Sequence, residues 1–423
     1  MKNNQPSLFS FLFLAVLLSG IFYFMMPQSY DVTEAPLSEF STKRALEIVK
    51  NMSAKPHFVG SQNHKTVANY LQKELQSLGL ETTLQEGFTM TEKGTLVKAK
   101  NIIAKIKGTT NAKALLLLAH YDSAPHSFSH GASDDASGVA TIIESVRAFL
   151  HNKSANKNDI IILFSDAEEV GLNGAALFVT QHQWAKNIGL VLSFEARGSS
   201  GPSYMLMETN EGNSKMAEAF KAANASYPVS NSLMYSVYKM LPNDTDLTVF
   251  REAGKIQGFN FAFIDSHYDY HTAQDKFDHL DPKTLAHQGS YLFPLLNHFA
   301  NADLSNLASA EDDIYFTVPF GFISYPFAWI FPMLIVGFAL LFLFVFIGLG
   351  KQVLRIDEII KGFIPLFGAL ITAGLVTYIG WKLLLNFYPE YQDILQGFTY
   401  NGQDYCYAFN SLTIGICFLF YQN

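Results

Sequence analysis

Carboxylate and imidazole side chains recur at the ends of short, strongly apolar segments of this sequence. The residues concerned are His120 with Asp122, Asp134 with Asp135, Glu168 with Glu169, Glu195, and His271. Hydrolysis of an acyl group needs a Lewis acid to polarise the carbonyl and a base to activate water. One carboxylate offers two oxygens and can bridge two cations. The set therefore predicts a hydrolytic site that holds two divalent metal ions.

Each local signal also has a purely structural explanation. His120 could be a structural histidine. Asp122 lies two residues further along an extended segment, where it could accept a hydrogen bond from the distal imidazole nitrogen and fix the tautomer that a ligand needs. Asp134 and Asp135 open a helix, so either could be an N-cap instead of a ligand.

The adjacent acids Glu168 and Glu169 could lie in a solvated acidic loop. Neighbouring carboxylates after a buried strand are costly unless a cation or proton compensates them. Their side chains diverge, so one can bind metal while the other reaches water. The pair therefore favours a ligand next to a general base.

Composition divides the chain into a soluble middle and apolar flanks. The 423 residues are 49% hydrophobic and 16% charged, against roughly 25% charged in a soluble domain. The mean hydropathy is +0.13. Residues 37–307 have the composition of a soluble domain large enough for a single core. The net charge of −8 and the absence of a basic patch argue against nucleic-acid binding.

The apolar flanks predict membrane helices. Residues 8–26 form one apolar stretch, interpreted as an anchor after a short cytoplasmic segment at residues 1–7; a cleaved signal peptide is the alternative. Residues 326–423 predict a C-terminal membrane region with helices at about 326–350, 363–385 and 405–421. Both cysteines lie in this region, so metal ligands in the soluble domain must be His, Asp or Glu.

The charges between these spans predict their orientation. The connection 351–361 carries Lys351, Arg355 and Lys361, whereas residues 386–404 carry no Lys or Arg. The positive-inside rule places the first connection in the cytoplasm and the second outside. The chain is therefore predicted to be an integral, multi-pass membrane protein in the lipid bilayer. Its domain 37–307 would face the non-cytoplasmic side, in the periplasm, outside the cell, or in a vacuolar or endoplasmic reticulum lumen.

Strand and helix signals alternate within residues 37–307. Residues 41–78 are helical with a break at 56–60, residues 80–91 and 101–106 are predicted strands, and 114–119 is a nearly continuous apolar run typical of a strand buried on both faces. A helical stripe follows at 139–150. Repeated strand-then-helix units predict an α/β fold with a mostly parallel mixed sheet and helices on both faces, plus transmembrane helices. In such sheets, ligands bind at the carboxyl ends of the strands.

The motifs resemble those of the M28 zinc peptidases, and within them the membrane-anchored branch of endoplasmic reticulum metallopeptidases and fungal vacuolar membrane proteases. The resemblance extends over about residues 37–306 and rests on the order of His120-x-Asp122, GASDDASG at 131–138, DAEEVGL at 166–172, Glu195 and YHTxxD at 270–275. It implies the zinc aminopeptidase (phosphorylase/hydrolase-like) fold.

The resemblance also implies roles for the matching residues. It implies ligands for two zinc ions per chain: His120 and Glu195 for one, Glu169 and His271 for the other, and Asp134 as the bridge. It implies three further residues that act in catalysis: Glu168 as the general base, Asp122 to orient His120, and Tyr270 to stabilise the oxyanion. Many M28 aminopeptidases have Asp where this chain has Glu195.

The function that this implies is a membrane-anchored, zinc-dependent exopeptidase, an aminopeptidase, acting on a peptide or small protein. A glutaminyl-peptide cyclase shares the fold but uses one zinc ion for an intramolecular acyl transfer. In cyclases the residue after the bridging-type Asp is typically not acidic, so Asp135 favours the peptidase. A non-catalytic receptor or scaffold is the third alternative. It is disfavoured because every implied ligand position is occupied by a residue that can bind metal.

Overall fold

The computed structural model describes residues 5–31, 34–91, 94–110, 112–240, 244–319, 321–394 and 397–421. Residues 1–4 of the predicted cytoplasmic segment lie outside this range. The chain forms two compact units, Met1–Phe327 and Ala328–Asn423. The residues of the candidate site all lie in the first unit.

In the part of the first unit that is described, the core is a seven-stranded sheet with the order β1-β2-β4-β3-β5-β7-β6. Its strands are β1 (Thr82–Met90), β2 (Leu96–Ile106), β3 (Ala114–His120), β4 (Ile160–Ser165), β5 (Ile188–Ala196), β6 (Ser200–Glu208) and β7 (Gly258–Asp265). The central strands β4, β3, β5 and β7 pair in parallel. The outer pairs β1–β2, β2–β4 and β6–β7 are antiparallel. The predicted mixed sheet is therefore confirmed, with its parallel pairings at the centre and its antiparallel pairings towards the edges.

Helices cover both faces of this sheet. The helices of the first unit are α1 (Gln5–Tyr23), α2 (Thr42–Met52), α3 (Gln62–Ser77), α4 (Ala136–His151), α5 (Asn173–Gln181), α6 (Ser214–Ala223), α7 (Ser232–Tyr238), α8 (Asp246–Glu252) and α9 (Pro282–Phe299). Alternate residues of β3 enter two different cores. Leu115 and Leu117 pack in the cluster formed with α2, α4, α6 and α9. Leu116 and Leu118 pack in the cluster formed with α5 and α8.

Complete burial explains the unbroken apolar run of β3. All seven of its residues are buried, including His120 at its end. A strand in the middle of a parallel sheet has no solvated face, so it cannot alternate apolar and polar side chains. The first polar side chains therefore appear where the strand leaves the sheet.

A two-stranded hairpin, β8 (Asp313–Val318) and β9 (Gly321–Pro326), follows α9 and was not predicted. It is joined to the rest of the unit by an isolated bridge between Asn231 and Phe316. The chain therefore continues as a strand pair before the C-terminal apolar region begins.

The second unit contains α10 (Ile330–Gly350), α11 (Ile356–Phe387) and α12 (Gly402–Tyr421). Among described residues, two helical stretches have the length and hydropathy to cross a membrane, Phe327–Gly350 and Ile356–Phe387; Leu8–Tyr23 is a shorter apolar helix. α11 begins seven residues before the predicted start at 363. Asp357 and Glu358 in its first turn favour this earlier start because acids complement the positive N-terminal end of a helix.

Candidate metal centre

The parallel strands bring the candidate residues to one edge of the sheet. His120 is the last residue of β3 and pairs in register with Ser165, the last residue of β4. Glu168 and Glu169 lie three and four residues after the end of β4, and Glu195 lies one residue before the end of β5. Because carboxyl ends of parallel strands share one edge, residues far apart in sequence meet there.

Asp134 reaches the same edge from the start of α4. The carboxylate of Asp135 caps this helix by accepting from the Gly138 N–H at 3.0 Å. It also lies 3.3 Å from the main-chain N–H of His120. Asp135 is therefore the N-cap, and Asp134 before it is free to face the cluster.

Asp134 contacts two groups of ligand-type side chains, one through each carboxylate oxygen. Its Oδ1 lies 3.0 Å from His120 Nε2, and this nitrogen lies 3.8 Å from Glu195 Oε2. Its Oδ2 lies 3.2 Å from His271 Nε2, and this nitrogen lies 2.8 Å from Glu169 Oε2. In each group of three, the potential ligand atoms lie within 4.8 Å of one another. All five predicted ligands are therefore brought together, with Asp134 common to both groups.

The cluster concentrates carboxylates in a buried place. Burial raises the pKa of Glu168 and Glu195 well above the usual range. Burial, together with the charge of Asp134, raises the pKa of Glu169 to about 8. Charged carboxylates are stable there only with a compensating cation or proton.

The pKa values of His271 and of its partner Asp134 are also shifted. Burial opposes the charged form of His271, but hydrogen bonds to Asp134 and Glu169 outweigh it and raise its pKa to about 10. Hydrogen bonds to the two histidines outweigh burial at Asp134 and lower its pKa. One oxygen of Glu169, Oε1, is buried with no hydrogen-bond partner among the described residues. Buried carboxylates, imidazoles and an unpartnered oxygen form a donor set that fits divalent zinc.

Asp122, which was expected to orient His120, lies closer to it with its main-chain oxygen than with its carboxylate. The Nδ1 of His120 lies 3.0 Å from the main-chain carbonyl oxygen of Asp122 and 3.6 Å from its nearest carboxylate oxygen. The carboxylate instead accepts from the N–H groups of Glu168 at 3.0 Å and Glu169 at 3.3 Å. Asp122 therefore holds His120 through its backbone and the acidic loop through its side chain.

Asp275 has a supporting position to which sequence reasoning assigned no role. Its buried carboxylate accepts from the N–H groups of Ser133 at 2.7 Å and Asp134 at 3.2 Å. Burial, with the nearby charge of Asp134, raises its pKa to about 7. The only sequence signal was its place in the YHTxxD motif, since the partners are main-chain groups more than 100 residues away.

Tyr270 and its neighbours complete the edge of the site. The Tyr270 ring stacks on His271 at a centroid distance of 3.7 Å and on His267 at 5.5 Å. His267 does not join either ligand group; its Nδ1 hydrogen-bonds with the carbonyl oxygen of Arg197. Tyr270 lines a cavity together with Asp134, Glu168 and Glu195.

Comparison with known proteins matches residues 101–296 to the model for peptidase family M28. The chain is 29% identical over 345 residues to a vacuolar membrane protease of Candida dubliniensis, covering 74% of this chain and 36% of that protein. It is 32% identical over 212 residues to human endoplasmic reticulum metallopeptidase 1, covering 49% of this chain and 23% of that protein. The chain thus spans little more than a third of the length of the first relative and less than a quarter of the length of the second.

Solved structures share the fold of the first unit. An aminopeptidase from Aneurinibacillus sp. strain AM-1 aligns with a TM-score of 0.52 at 14% identity, over 64% of this chain and 97% of that one. Porphyromonas gingivalis glutaminyl cyclase aligns with a TM-score of 0.51 at 20% identity, over 62% and 99%. The fold is therefore common to peptidases and cyclases. The matched segment 101–296, which contains every residue of the candidate site, has the sequence pattern of peptidase family M28.

Proposed function

We propose that this protein is a membrane-anchored, zinc-dependent exopeptidase of the aminopeptidase type, with two zinc ions per chain. The observation that carries the proposal is the sharing of Asp134 between two groups of ligand-type side chains. A carboxylate that presents one oxygen to each group is what a bridged two-metal site requires.

The ligands divide as two sets of three. His120, Asp134 and Glu195 would hold one ion, and Asp134, Glu169 and His271 the other. Bound zinc would supply Lewis-acid polarisation of the scissile carbonyl and would lower the pKa of water. The remaining chemistry falls to side chains that bind no metal.

Glu168 is the group placed to move the proton. Its main-chain N–H is held by the Asp122 carboxylate at 3.0 Å, and its side chain lines the cavity next to Asp134 and Glu195. Burial raises its pKa, which favours proton acceptance. Glu168 would take a proton from the attacking water and pass it to the leaving amine nitrogen.

Tyr270 is the candidate for stabilising the oxyanion. Its ring stacks on His271, and the residue lines the cavity next to the ligands. Burial raises its pKa, so the hydroxyl keeps its proton at neutral pH. An O–H donor is suited to stabilise developing negative charge on the substrate oxygen.

A glutaminyl cyclase remains the competing function because the fold is shared. A single zinc ion would need only one of the two ligand groups, and the other group would then have no compensating cation. The presence of two groups, each with a histidine and a glutamate beside Asp134, supports hydrolysis over cyclisation.

We place the catalytic domain on the non-cytoplasmic side of the membrane. Support comes from the basic residues of the 351–361 connection, by the positive-inside rule, and from the relatives named as vacuolar membrane and endoplasmic reticulum proteins. A multi-pass arrangement with peptide substrates on that side follows as part of the proposal.

The test is peptide hydrolysis by the full-length, detergent-solubilised protein and its Glu168→Gln variant. Wild type should release free amino acids from peptides with an unblocked N-terminus, and N-acetylated peptides should resist. Loss of the base should lower kcat by roughly 10²- to 10⁴-fold without loss of metal.

Glu218→Gln, which removes the same charge from an exposed position on α6, is the matched control and should retain full activity. Conversion of N-terminal glutamine to pyroglutamate by a protein with one zinc ion would instead establish the cyclase. A folded protein without bound metal would refute both enzymatic functions.

A further inference from the structure

A cavity beside the metal-ligand cluster contains a positive charge that the mechanism above does not use. Its lining includes Asp134, Glu168 and Glu195 of the cluster, together with Arg197 and Asn260. Arg197 is two residues beyond Glu195, in the turn after β5. We call this space the Arg197 cavity.

Arg197 differs from the other arginines of the chain. Those arginines each contact a carboxylate: Arg44 and Arg147 contact Glu144, Arg251 contacts Glu208, and Arg355 contacts Asp357. Among the described residues, no carboxylate oxygen lies within the 4.0 Å ion-pair distance of the Arg197 guanidinium. Asp244 also lines the cavity, but beyond that distance.

The contacts of Arg197 leave most of its donors free for a ligand. Its guanidinium carbon lies 5.0 Å from the centre of the Tyr270 ring, and its Nη2 lies 3.4 Å from the Tyr270 hydroxyl. A purely structural role would be this cation–π contact. The contact with the hydroxyl occupies one donor at Nη2, and the remaining N–H donors of the guanidinium belong to a fork that matches a carboxylate.

The backbone holds Arg197 firmly. Its N–H donates to the carbonyl oxygen of Phe263 at 2.8 Å, and its own carbonyl oxygen hydrogen-bonds with His267. The next residue, Gly198, is packed so closely that an added Cβ would overlap the carbonyl oxygen of Asp265. The backbone at this position therefore needs no ordering when the Arg197 side chain binds a ligand, which lowers the entropic cost of binding.

The floor of the cavity adds a second unsatisfied polar group. Asn260 is 1% exposed, and its Oδ1 has no hydrogen-bond partner among the described residues. Buried amide oxygens without partners are rare because each carries a desolvation cost. Among the described residues, the cavity therefore combines a guanidinium that has no carboxylate partner with an amide oxygen that has no donor, as a site for a polar ligand would.

We propose that Arg197 binds a carboxylate of the substrate and so makes this protein selective for peptides that present one in the cavity. The inference rests on the proposed peptidase function and specifies its substrate class. Two substrate groups have this chemistry: the C-terminal carboxylate of a short peptide, and the side chain of an acidic residue. Either would form a charge-assisted, two-point contact with the guanidinium.

The first test compares wild-type kcat/KM within two pairs of peptides. Ala-Ala and Ala-Ala-amide differ in the terminal carboxylate, whereas Glu-Ala-amide and Gln-Ala-amide differ in the side chain. The member with the carboxylate should be preferred about 10- to 100-fold in one pair, mainly through KM. The pair that shows the preference identifies which carboxylate is bound.

Variants then assign the preference to Arg197. Arg197→Gln should abolish it, and Arg197→Lys should retain part of it because the charge remains but the fork is lost. Lys221→Gln, which removes one positive charge from an exposed position on α6, should leave the preference unchanged. Equal rates within both pairs in wild type, or a full preference in Arg197→Gln, would overturn the inference while leaving the peptidase function intact.

A binding measurement decides the inference even if hydrolysis is not observed. Calorimetry on the full-length Glu168→Gln protein would compare glutamate, glutamine and isoglutamine, which differ only in which carboxylate is amidated. One amide should bind about 10- to 100-fold more weakly than glutamate, and Arg197→Gln should remove this difference. Equal binding of all three would overturn the inference independently of activity.

Discussion

Replacing Asp122 with Asn would separate the two roles that this residue combines. The carboxylate accepts from two N–H groups, those of Glu168 at 3.0 Å and Glu169 at 3.3 Å. An Asn side chain of the same shape has one acceptor oxygen, so its NH2 group would face one of these donors. The bond from His120 to the main-chain carbonyl at 3.0 Å would remain.

The free-energy cost of Asp122→Asn follows from the one buried N–H group that it leaves without an acceptor. Such a group costs about 1–3 kcal/mol, which corresponds to roughly 5- to 150-fold at 1.4 kcal/mol per factor of ten. The cost acts on the loop that carries Glu168 and Glu169. We therefore expect weaker binding of the metal at the Glu169–His271 group and a lower kcat, with the metal at the His120–Glu195 group little affected.

The assay is competition with a chromophoric chelator, which resolves the loss of two ions as two steps. Glu169→Ala and Glu195→Ala identify which step belongs to which ligand group. Asp278→Asn removes the same charge from an exposed position and serves as the control. If Asp122→Asn weakened only the metal at His120 and Glu195, the carboxylate would act on His120 after all and the reasoning would be refuted.

Two further predictions concern stability and pH. Glu144 is 1% exposed and contacts Arg44 at 2.9 Å and Arg147 at 2.7 Å, so Glu144→Ala, which removes the buried carboxylate that the two guanidinium groups share, should lower the free energy of unfolding by about 3–5 kcal/mol. Chemical denaturation checks this, and no change in the midpoint would contradict it. Glu169 and His271, with pKa values raised to about 8 and 10, hold protons at neutral pH that a metal must displace. Zinc binding should therefore release protons, and the zinc affinity should increase as pH rises from 6 to 8, by about tenfold per pH unit for each proton released. Calorimetry in buffers of different ionisation enthalpy would detect the released protons. A binding heat that does not depend on the buffer would contradict the prediction.

The sequence was most informative where burial leaves a strong pattern. The unbroken apolar run of β3 and the polar residues that follow it were sufficient to predict a parallel sheet with ligands at its carboxyl edge. The same argument predicted that His120, Glu169 and Glu195 lie close together. The loop that leads to His271 has no comparable periodicity, so His271 was predicted from its motif.

Hydrogen-bond partners were much harder to predict than positions. The spacing of two residues suggested that the side chain of Asp122 holds His120. The main-chain N–H groups of the acidic loop after β4 compete for the same carboxylate. Asp275 and Arg197 depend on groups distant in sequence, so no local pattern reveals them. The hairpin β8–β9 was missed because its strands are short and half-buried and show no clear alternation.

The central claim is that Asp134 bridges two metal ions, and metal analysis of single-residue variants of the full-length protein tests it most directly. Wild type should contain about two zinc ions per chain. Glu195→Ala and Glu169→Ala should each retain about one, whereas Asp134→Ala should lose both in a protein that is still folded. Retention of one tightly bound ion by Asp134→Ala, or one ion in wild type, would contradict the bridged centre.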